Sequence, residues 1–114
     1  MPNVKLYVDE TLLAARREAL IAALPPLRQM LCEALKVQPA ACQFAILPVI
    51  APVIAMPDMP PVNVEMQVLA HPDRSKAVLT GLASAVQSQI AEVAGARTAV
   101  RIAAMVPEAY VVAR

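Results

Sequence analysis

The 114-residue sequence has very few aromatic residues and almost no net charge. It contains one Phe, two Tyr and no Trp, and its formal net charge at pH 7 is +1. A nucleic-acid-binding protein needs a basic surface that neutralises phosphates, or aromatic rings on which bases stack. We therefore expect no nucleic-acid partner.

The sequence also lacks the cysteine patterns of metal sites. Its two cysteines, Cys32 and Cys42, fall in a predicted helix and a predicted strand, and their spacing matches no zinc motif. Two such cysteines are typical of thiols that stay reduced in the cytoplasm. The first ten residues carry Lys5, Asp9 and Glu10 in place of the apolar core of a secretory signal. We expect a cytoplasmic protein without a metal.

No segment has the pattern of a membrane-spanning helix. The most apolar stretch, residues 44–64, contains five prolines and Asp58, which are incompatible with a continuous helix. It predicts a buried strand followed by a proline-stiffened crossover, and no membrane association. Hydrophobic residues nevertheless make up 59% of this single-domain chain. Since so small a domain cannot easily bury that much apolar surface, we expect an oligomer.

Hydrophobic periodicity in the first half predicts a strand, a helix and a strand. Residues 4–8 alternate as a strand, residues 12–36 follow a helical pattern, and residues 43–50 are typical of a fully buried strand. Pro25 and Pro26 interrupt the helical pattern, which predicts either a kink or two consecutive helices.

The second half repeats the same order of elements. A strand is predicted over residues 62–69, a helix from a cap at Asp73 or Ser75 to Gly95, and a strand over residues 98–105. The apolar faces of the two predicted helices contain Leu20, Ile21, Leu24, Leu27, Leu31 and Leu35 in the first and Val78, Leu79, Leu82, Val86, Ile90 and Val93 in the second.

A shift of 58 positions superimposes the two halves, about residues 1–56 and 57–114. The shift aligns Pro2 with Pro60, Arg16 with Arg74, Leu24 with Leu82, and Gln43 with Arg101. Identities are sparse, but the matching element order and apolar positions favour an internal duplication within one domain.

Two βαβ units with right-handed crossovers predict an α+β fold. Its four-stranded sheet would be parallel within each unit and would carry both helices on one face. The other face would be apolar and uncovered. We therefore expect several such sheets to close around a common axis in an oligomer.

The chain thus has a Met-Pro start, a short strand, an amphipathic helix and a later strand that opens with Val-Arg-Ile in TAVRIAAM. In these features it resembles the tautomerase superfamily over essentially its whole length. That superfamily includes 4-oxalocrotonate tautomerase, 5-carboxymethyl-2-hydroxymuconate isomerase, macrophage migration inhibitory factor, malonate semialdehyde decarboxylase and the chloroacrylic acid dehalogenases. The resemblance implies a fused pair of short tautomerase subunits that assembles as a homotrimer and uses no cofactor.

The resemblance also implies the site residues. The superfamily's base is the amino-terminal proline, here Pro2 after loss of Met1. In the short tautomerases, one arginine at a strand-to-helix turn and another at the opening of the next strand bind substrate carboxylates. HPDRSKAVL and TAVRIAAM place Arg74 and Arg101 at these positions, and relatives have a pocket aromatic near Tyr110. The first half lacks both arginines, which leaves the number of substrate carboxylates open.

These residues suffice for a keto-enol tautomerase. One base can remove a proton from carbon and return it elsewhere, provided that its amine pKa is lowered by an apolar pocket and by nearby arginines. The same arginines can hold a carboxylate and polarise the adjacent carbonyl. The sequence therefore predicts an isomerase that acts on a small 2-oxo or 2-hydroxydienoic acid, a carboxylate, without a metal.

Alternatives exist for the reaction. A decarboxylase, hydratase or dehalogenase would add an acid that activates water, and the candidates are Asp9, Asp58, Glu65 and Glu108. A non-catalytic trimeric scaffold is the alternative from another functional class.

Alternatives exist for the residues too. Pro2 could simply start a strand, Arg74 could be a solvated charge, and Tyr110 could pack at an interface. Arg101 could form an ion pair between subunits. His71, in a turn, is expected to be exposed.

Overall fold

The computed structural model describes residues 2–50 and 59–114 and has the predicted βαβ-βαβ order. The elements are β1 (Asn3–Asp9), α1 (Glu10–Leu35), β2 (Gln43–Val49), β3 (Val62–Leu69), α2 (Lys76–Ala94) and β4 (Thr98–Met105), with single 3-10 turns at Pro39–Ala41 and Pro107–Ala109. Most of the predicted crossover after β2 lies outside the described residues. Across the described ranges, no helix is both long enough and apolar enough to cross a membrane.

The four strands form one mixed sheet in the order β2-β1-β3-β4. Each βαβ unit contributes a parallel pair, and the antiparallel β1–β3 pair joins the two units at the centre. In the strand register, Asn3 is opposite both Gln43 and Gln67. Lys5 is opposite Glu65, and Glu65 is opposite Arg101. The predicted α+β fold is confirmed.

The strand registers modify the predicted repeat. Partners in β1 and β2 are 40 positions apart, but partners in β3 and β4 are 36 positions apart. The first crossover is the longer one, and its helix α1 has 26 residues where α2 has 19. A uniform shift of 58 therefore cannot superimpose all four strands. The alignment of Pro2 with Pro60 and that of Gln43 with Arg101 cannot both match equivalent strand positions.

The core lies between the sheet and the two helices, which cover one face. Alternate residues of the central strands point into it because successive strand side chains face opposite sides. The buried core residues are Val4, Leu6 and Val8 of β1, Val62, Val64, Met66 and Val68 of β3, Leu20, Leu27, Leu31 and Leu35 of α1, and Leu82, Val86, Ile90 and Ala94 of α2.

Five positions of the predicted apolar faces are not among these buried residues. Leu24, Leu79 and Val93 are partly buried and pack against the core, whereas Ile21 and Val78 are exposed. Ile21 is 49% exposed and Val78 is 38% exposed, because each lies at the rim of its helix's apolar stripe.

The prediction that the second strand is fully buried is also wrong. β2 is an outer strand in which no residue is buried, and Gln43, Ala45 and Pro48 are exposed.

The prediction that the open face of the sheet, opposite the helices, is apolar is wrong. The residues that the two central strands present there are Asn3, Lys5, Tyr7 and Asp9 from β1 and Asn63, Glu65, Gln67 and Leu69 from β3. The outer strands present mainly aliphatic residues. Alternation explains the result, since a strand with helices on one side needs an apolar residue only at every second position.

The helix ends have well-defined caps. Asp9 Oδ2 accepts hydrogen bonds from two backbone N–H groups in the first turn of α1. The α-helix continues through Pro25 and Pro26, so the alternative of two consecutive helices is wrong. Ser75 caps α2, as one of the two predicted capping residues. Gly95 ends that helix at φ 64°, as predicted.

Gly81, within α2, and Gly95, at its C-cap, give a matched stability test. Gly95→Ala should lower the free energy of unfolding by about 1 kcal/mol, because positive φ strains an alanine. Its Cβ would also lie 3.0 Å from Arg16 Nη2. Gly81→Ala, at an exposed mid-helix position where a Cβ meets nothing within 4 Å, should raise that free energy by about 0.5–1 kcal/mol. Urea unfolding of both variants checks the opposite signs, and equal signs would contradict the fold.

Candidate functional site

Pro2 lies at the edge of the sheet where β1 and β2 begin and β3 and β4 end. We call this the Pro2 edge. The antiparallel β1–β3 register brings these ends together, because Asn3 is opposite Gln67. The Ala70 N–H donates to the Met105 carbonyl at 2.8 Å and closes the edge on the β4 side.

Pro2 itself is buried. Its carbonyl accepts a hydrogen bond from the Gln43 N–H at 3.0 Å, which extends the β1–β2 ladder by one residue. Its nitrogen precedes the first paired residue of β1, so the sheet loses no donor there. The position therefore suits a strand start, and it also places the ring at a sheet edge rather than in open solvent.

Arg74 lies at the same edge, in the turn between β3 and α2. Its Nη1 donates to the Leu69 carbonyl at 2.6 Å and its Nη2 donates to the Leu35 carbonyl at 3.2 Å. The half-buried guanidinium thus joins the end of β3 to the last turn of α1, so it is not merely a solvated charge. These bonds use two of its five N–H groups, and three remain for an anionic ligand.

Arg101 is on the open face and is exposed. Its Nη1 donates to Asn63 Oδ1 at 3.1 Å, and Asn63 is opposite Tyr7, on the side of Arg101 away from the Pro2 edge. Strand spacing and rise place the backbones of Pro2 and Arg101 about 14 Å apart. One protomer therefore does not bring the guanidinium of Arg101 to Pro2.

Tyr110 follows the 3-10 turn Pro107–Ala109, which comes directly after β4 leaves the sheet at the Pro2 edge. Its N–H donates to the Pro107 carbonyl at 3.2 Å, and the residue is half-buried. The chain segment that carries Tyr110 thus starts from the same edge as Pro2.

The other polar candidates are dispersed. The Asp9 carboxylate caps α1, Glu65 is exposed on the open face, Glu108 is exposed in the turn after β4, and Asp58 lies outside the described residues. His71 is exposed as expected, and its Nδ1 accepts a hydrogen bond from a backbone N–H. In the part of the chain that the structure describes, no three His, Cys, Asp or Glu side chains form a metal-binding group.

Sequence reasoning missed a contact between the two cysteines. Cys32 Sγ and Cys42 Sγ are 3.5 Å apart, and both residues are partly buried. Burial, and then the contact with Cys32, raise the pKa of the Cys42 thiol from its ordinary value of 9.0 to about 11. Their ten-residue spacing fits no motif, so only the turn between α1 and β2 brings them together.

The hydrogen bonds of Arg74 predict a structural role that a stability measurement can detect. Arg74→Met should lower the free energy of unfolding by about 1–3 kcal/mol, because two carbonyls lose a charged donor and the C-terminus of α1 loses its nearby cation. Arg97→Met, at an exposed arginine, is the control and should change it by no more than about 0.5 kcal/mol. Equal effects in chemical denaturation would contradict the role.

The raised pKa of Cys42 predicts a loss of stability in alkali. The folded protein holds the thiol proton more tightly than the unfolded chain, so this contribution is complete below pH 9 and is lost as the pH rises through about 11. Urea unfolding under reducing conditions between pH 8 and 11 should show a steeper decline for the wild type than for Cys42→Ala. Parallel declines would contradict the raised pKa.

Comparisons with known proteins agree on the fold. No protein-family model matches the sequence, and no curated protein matches it. Among solved structures, a fused 4-OT described as a wild-type asymmetric trimer is 18% identical, with a TM-score of 0.73 over 96% of this chain and 91% of that one. A member of the cis-3-chloroacrylic acid dehalogenase family is 14% identical, with a TM-score of 0.73 over 96% of this chain and 78% of that one.

A macrophage migration inhibitory factor-like protein from Entamoeba histolytica is 10% identical, with a TM-score of 0.71 over 98% of this chain and 95% of that one. All three proteins belong to the tautomerase superfamily. The chain therefore has the tautomerase fold that the sequence features predict. Since such distant relatives share a fold without necessarily sharing an activity, these likenesses identify the fold alone.

Proposed function

We propose that this protein is a keto-enol tautomerase whose general base is the amino-terminal nitrogen of Pro2, after removal of Met1. The observation that carries the proposal is the position of Pro2 in a chain with the tautomerase fold. Pro2 is buried at the sheet edge where the partly unsatisfied guanidinium of Arg74 also lies.

Removal of Met1 is what would give Pro2 its chemistry. An amide nitrogen has no basic lone pair, whereas a terminal proline is a secondary amine that can accept a proton. Burial and the positive charge of Arg74 both disfavour the protonated amine. The free amine would therefore be available at neutral pH, and the rate should fall as acid protonates it.

The substrate we propose is a small 2-oxo or 2-hydroxydienoic acid. Its carboxylate would accept hydrogen bonds from the remaining N–H groups of Arg74. Pro2 would take a proton from the enol oxygen or the α-carbon, and the guanidinium would stabilise the enolate charge until the proton returns at another carbon. Tyr110, from the segment that starts at this edge, would form a wall or donate a hydrogen bond.

Participation of Arg101 requires a second copy of the chain, since its guanidinium leans away from the Pro2 edge in one protomer. We propose a homotrimer in which the open faces meet around an axis. The open face carries a row of alternating charge, in which Glu65 lies between Lys5 and Arg101. Such charges would orient the open faces of neighbouring copies in the trimer. The solved fused 4-OT is described as a trimer.

A hydratase or dehalogenase is a second candidate, because Glu108 lies in the turn that follows β4 at the Pro2 edge and a member of a dehalogenase family shares the fold. Such chemistry would use Glu108 to activate water. A Glu108→Gln variant that loses hydration of an unsaturated acid, but keeps ketonisation of an enol, would favour this candidate.

The test of the base begins with the intact mass of the purified protein. If Met1 is absent, the wild type should ketonise phenylenolpyruvate, and Pro2→Ala should lose at least about 100-fold in kcat/KM because the base contributes roughly that much. Circular dichroism checks that the variant folds.

Two results would contradict the proposal. One is equal rates for the wild type and Pro2→Ala. The other is a retained Met1 in protein from its natural host, which would favour a non-catalytic scaffold.

A further inference from the structure

The two cysteines lie close to the geometry of a disulfide. Cys32 is in the last two turns of α1, and Cys42 directly precedes β2. Their Sγ atoms are 3.5 Å apart, whereas bonded sulfurs are separated by about 2.05 Å. An approach of roughly 1.5 Å by side-chain rotation and small backbone adjustment would therefore suffice.

Both cysteine backbones are held in place. The Lys36 and Val37 N–H groups donate to the Cys32 carbonyl at the end of α1. The Cys42 N–H donates to the Pro39 carbonyl at 3.1 Å, in the 3-10 turn between the helix and β2. The two thiols are thus neighbours because of the fold, not because two mobile loops happen to meet, and their effective concentration is high.

A reactant can reach this pair from the surface. Cys32 lines an open depression of about 500 Å³, together with prolines of α1 and of the 3-10 turn and the polar residues Arg28, Gln29 and Glu33. The Glu33 carboxylate accepts a hydrogen bond from Gln29 Nε2 at 3.2 Å. Arg28 is one helical turn before Cys32 and hence on the same face. The positive charge of Arg28 opposes the effect of burial on the pKa of the Cys42 thiol. The guanidinium would also attract an anionic reactant.

We propose that Cys32 and Cys42 are a reversible dithiol–disulfide site that reacts with anionic small-molecule disulfides. The Cys32 thiolate attacks one sulfur of the small disulfide, forms a mixed disulfide and releases one thiolate. Cys42 then loses its proton to solvent and attacks Cys32 Sγ, which releases the second thiolate. One small disulfide is reduced to two thiols, and two protein thiols are oxidised to one disulfide.

A disulfide between Cys32 and Cys42 would affect the Pro2 edge through one residue, Gln43. Gln43 follows Cys42, and its N–H donates to the Pro2 carbonyl. A covalent link from α1 to Cys42 would therefore restrain the start of β2 where it pairs with Pro2. This inference is independent of the chemistry proposed for Pro2, because it needs only the two thiols and the hydrogen bond.

Incubation of the reduced, full-length protein with oxidised glutathione tests the proposal. The wild type should lose two hydrogens in intact mass, keep no alkylatable thiol and remain the same size by light scattering. Its Tm should rise by roughly 10 °C because the unfolded chain is constrained. Amide exchange at Gln43 should slow, and dithiothreitol should reverse all of these changes.

Single variants separate the two thiols. Cys42→Ser should stop at one glutathione adduct on Cys32, whereas Cys32→Ser should form its adduct at least tenfold more slowly, since Cys42 is the less reactive thiol. Each variant is compared with the reduced wild type in circular dichroism and Tm. A wild type that carries two glutathione adducts, forms only intermolecular dimers, or stays reduced under conditions that oxidise dithiothreitol would overturn the proposal.

Discussion

The antiparallel pairing of β1 with β3 is the interaction on which the rest of the structure depends. Each βαβ unit has two strands and one helix, so alone it would leave a strand edge unpaired and its helix without a partner. The pairing of residues 3–8 with 62–67 joins the units into one sheet and places both helices on one face. It also brings the starts of β1 and β2 to the ends of β3 and β4, which creates the Pro2 edge.

The helix ends show that the two halves also depend on each other through charge. Arg74, from the second half, bonds the Leu35 carbonyl near the C-terminus of α1, which has no basic residue in its own last turn. Arg16, from the first half, lies against Gly95 at the C-terminus of α2, which also lacks one. Each arginine thus faces the negative end of the other half's helix. The two arginines do this from different places, since Arg16 lies within α1 and Arg74 precedes α2.

The elements were predictable where a local rule determined them. β3 and β4 have the predicted bounds, and Gly95 ends α2, because period-2 alternation and a left-handed C-cap are local properties. The polar open face and the exposure of β2 were not predictable from composition. An apolar fraction of 59% does not specify which face of a strand each residue occupies, or which strand lies at the edge. The continuation of α1 through two prolines depends likewise on tertiary packing, which overrides helix propensity.

The sequence by itself determined the order of elements, the capping residues and the identity of the candidate groups, because these depend on neighbours along the chain. Tertiary structure alone decided which groups meet. It placed Arg74 at the Pro2 edge but turned Arg101 towards Asn63, and it brought two unremarkable cysteines within 3.5 Å. The physical reason is that strand register and crossover length decide the contacts between distant residues. A difference of four positions between the strand registers of the two units is enough to change which side chains become neighbours.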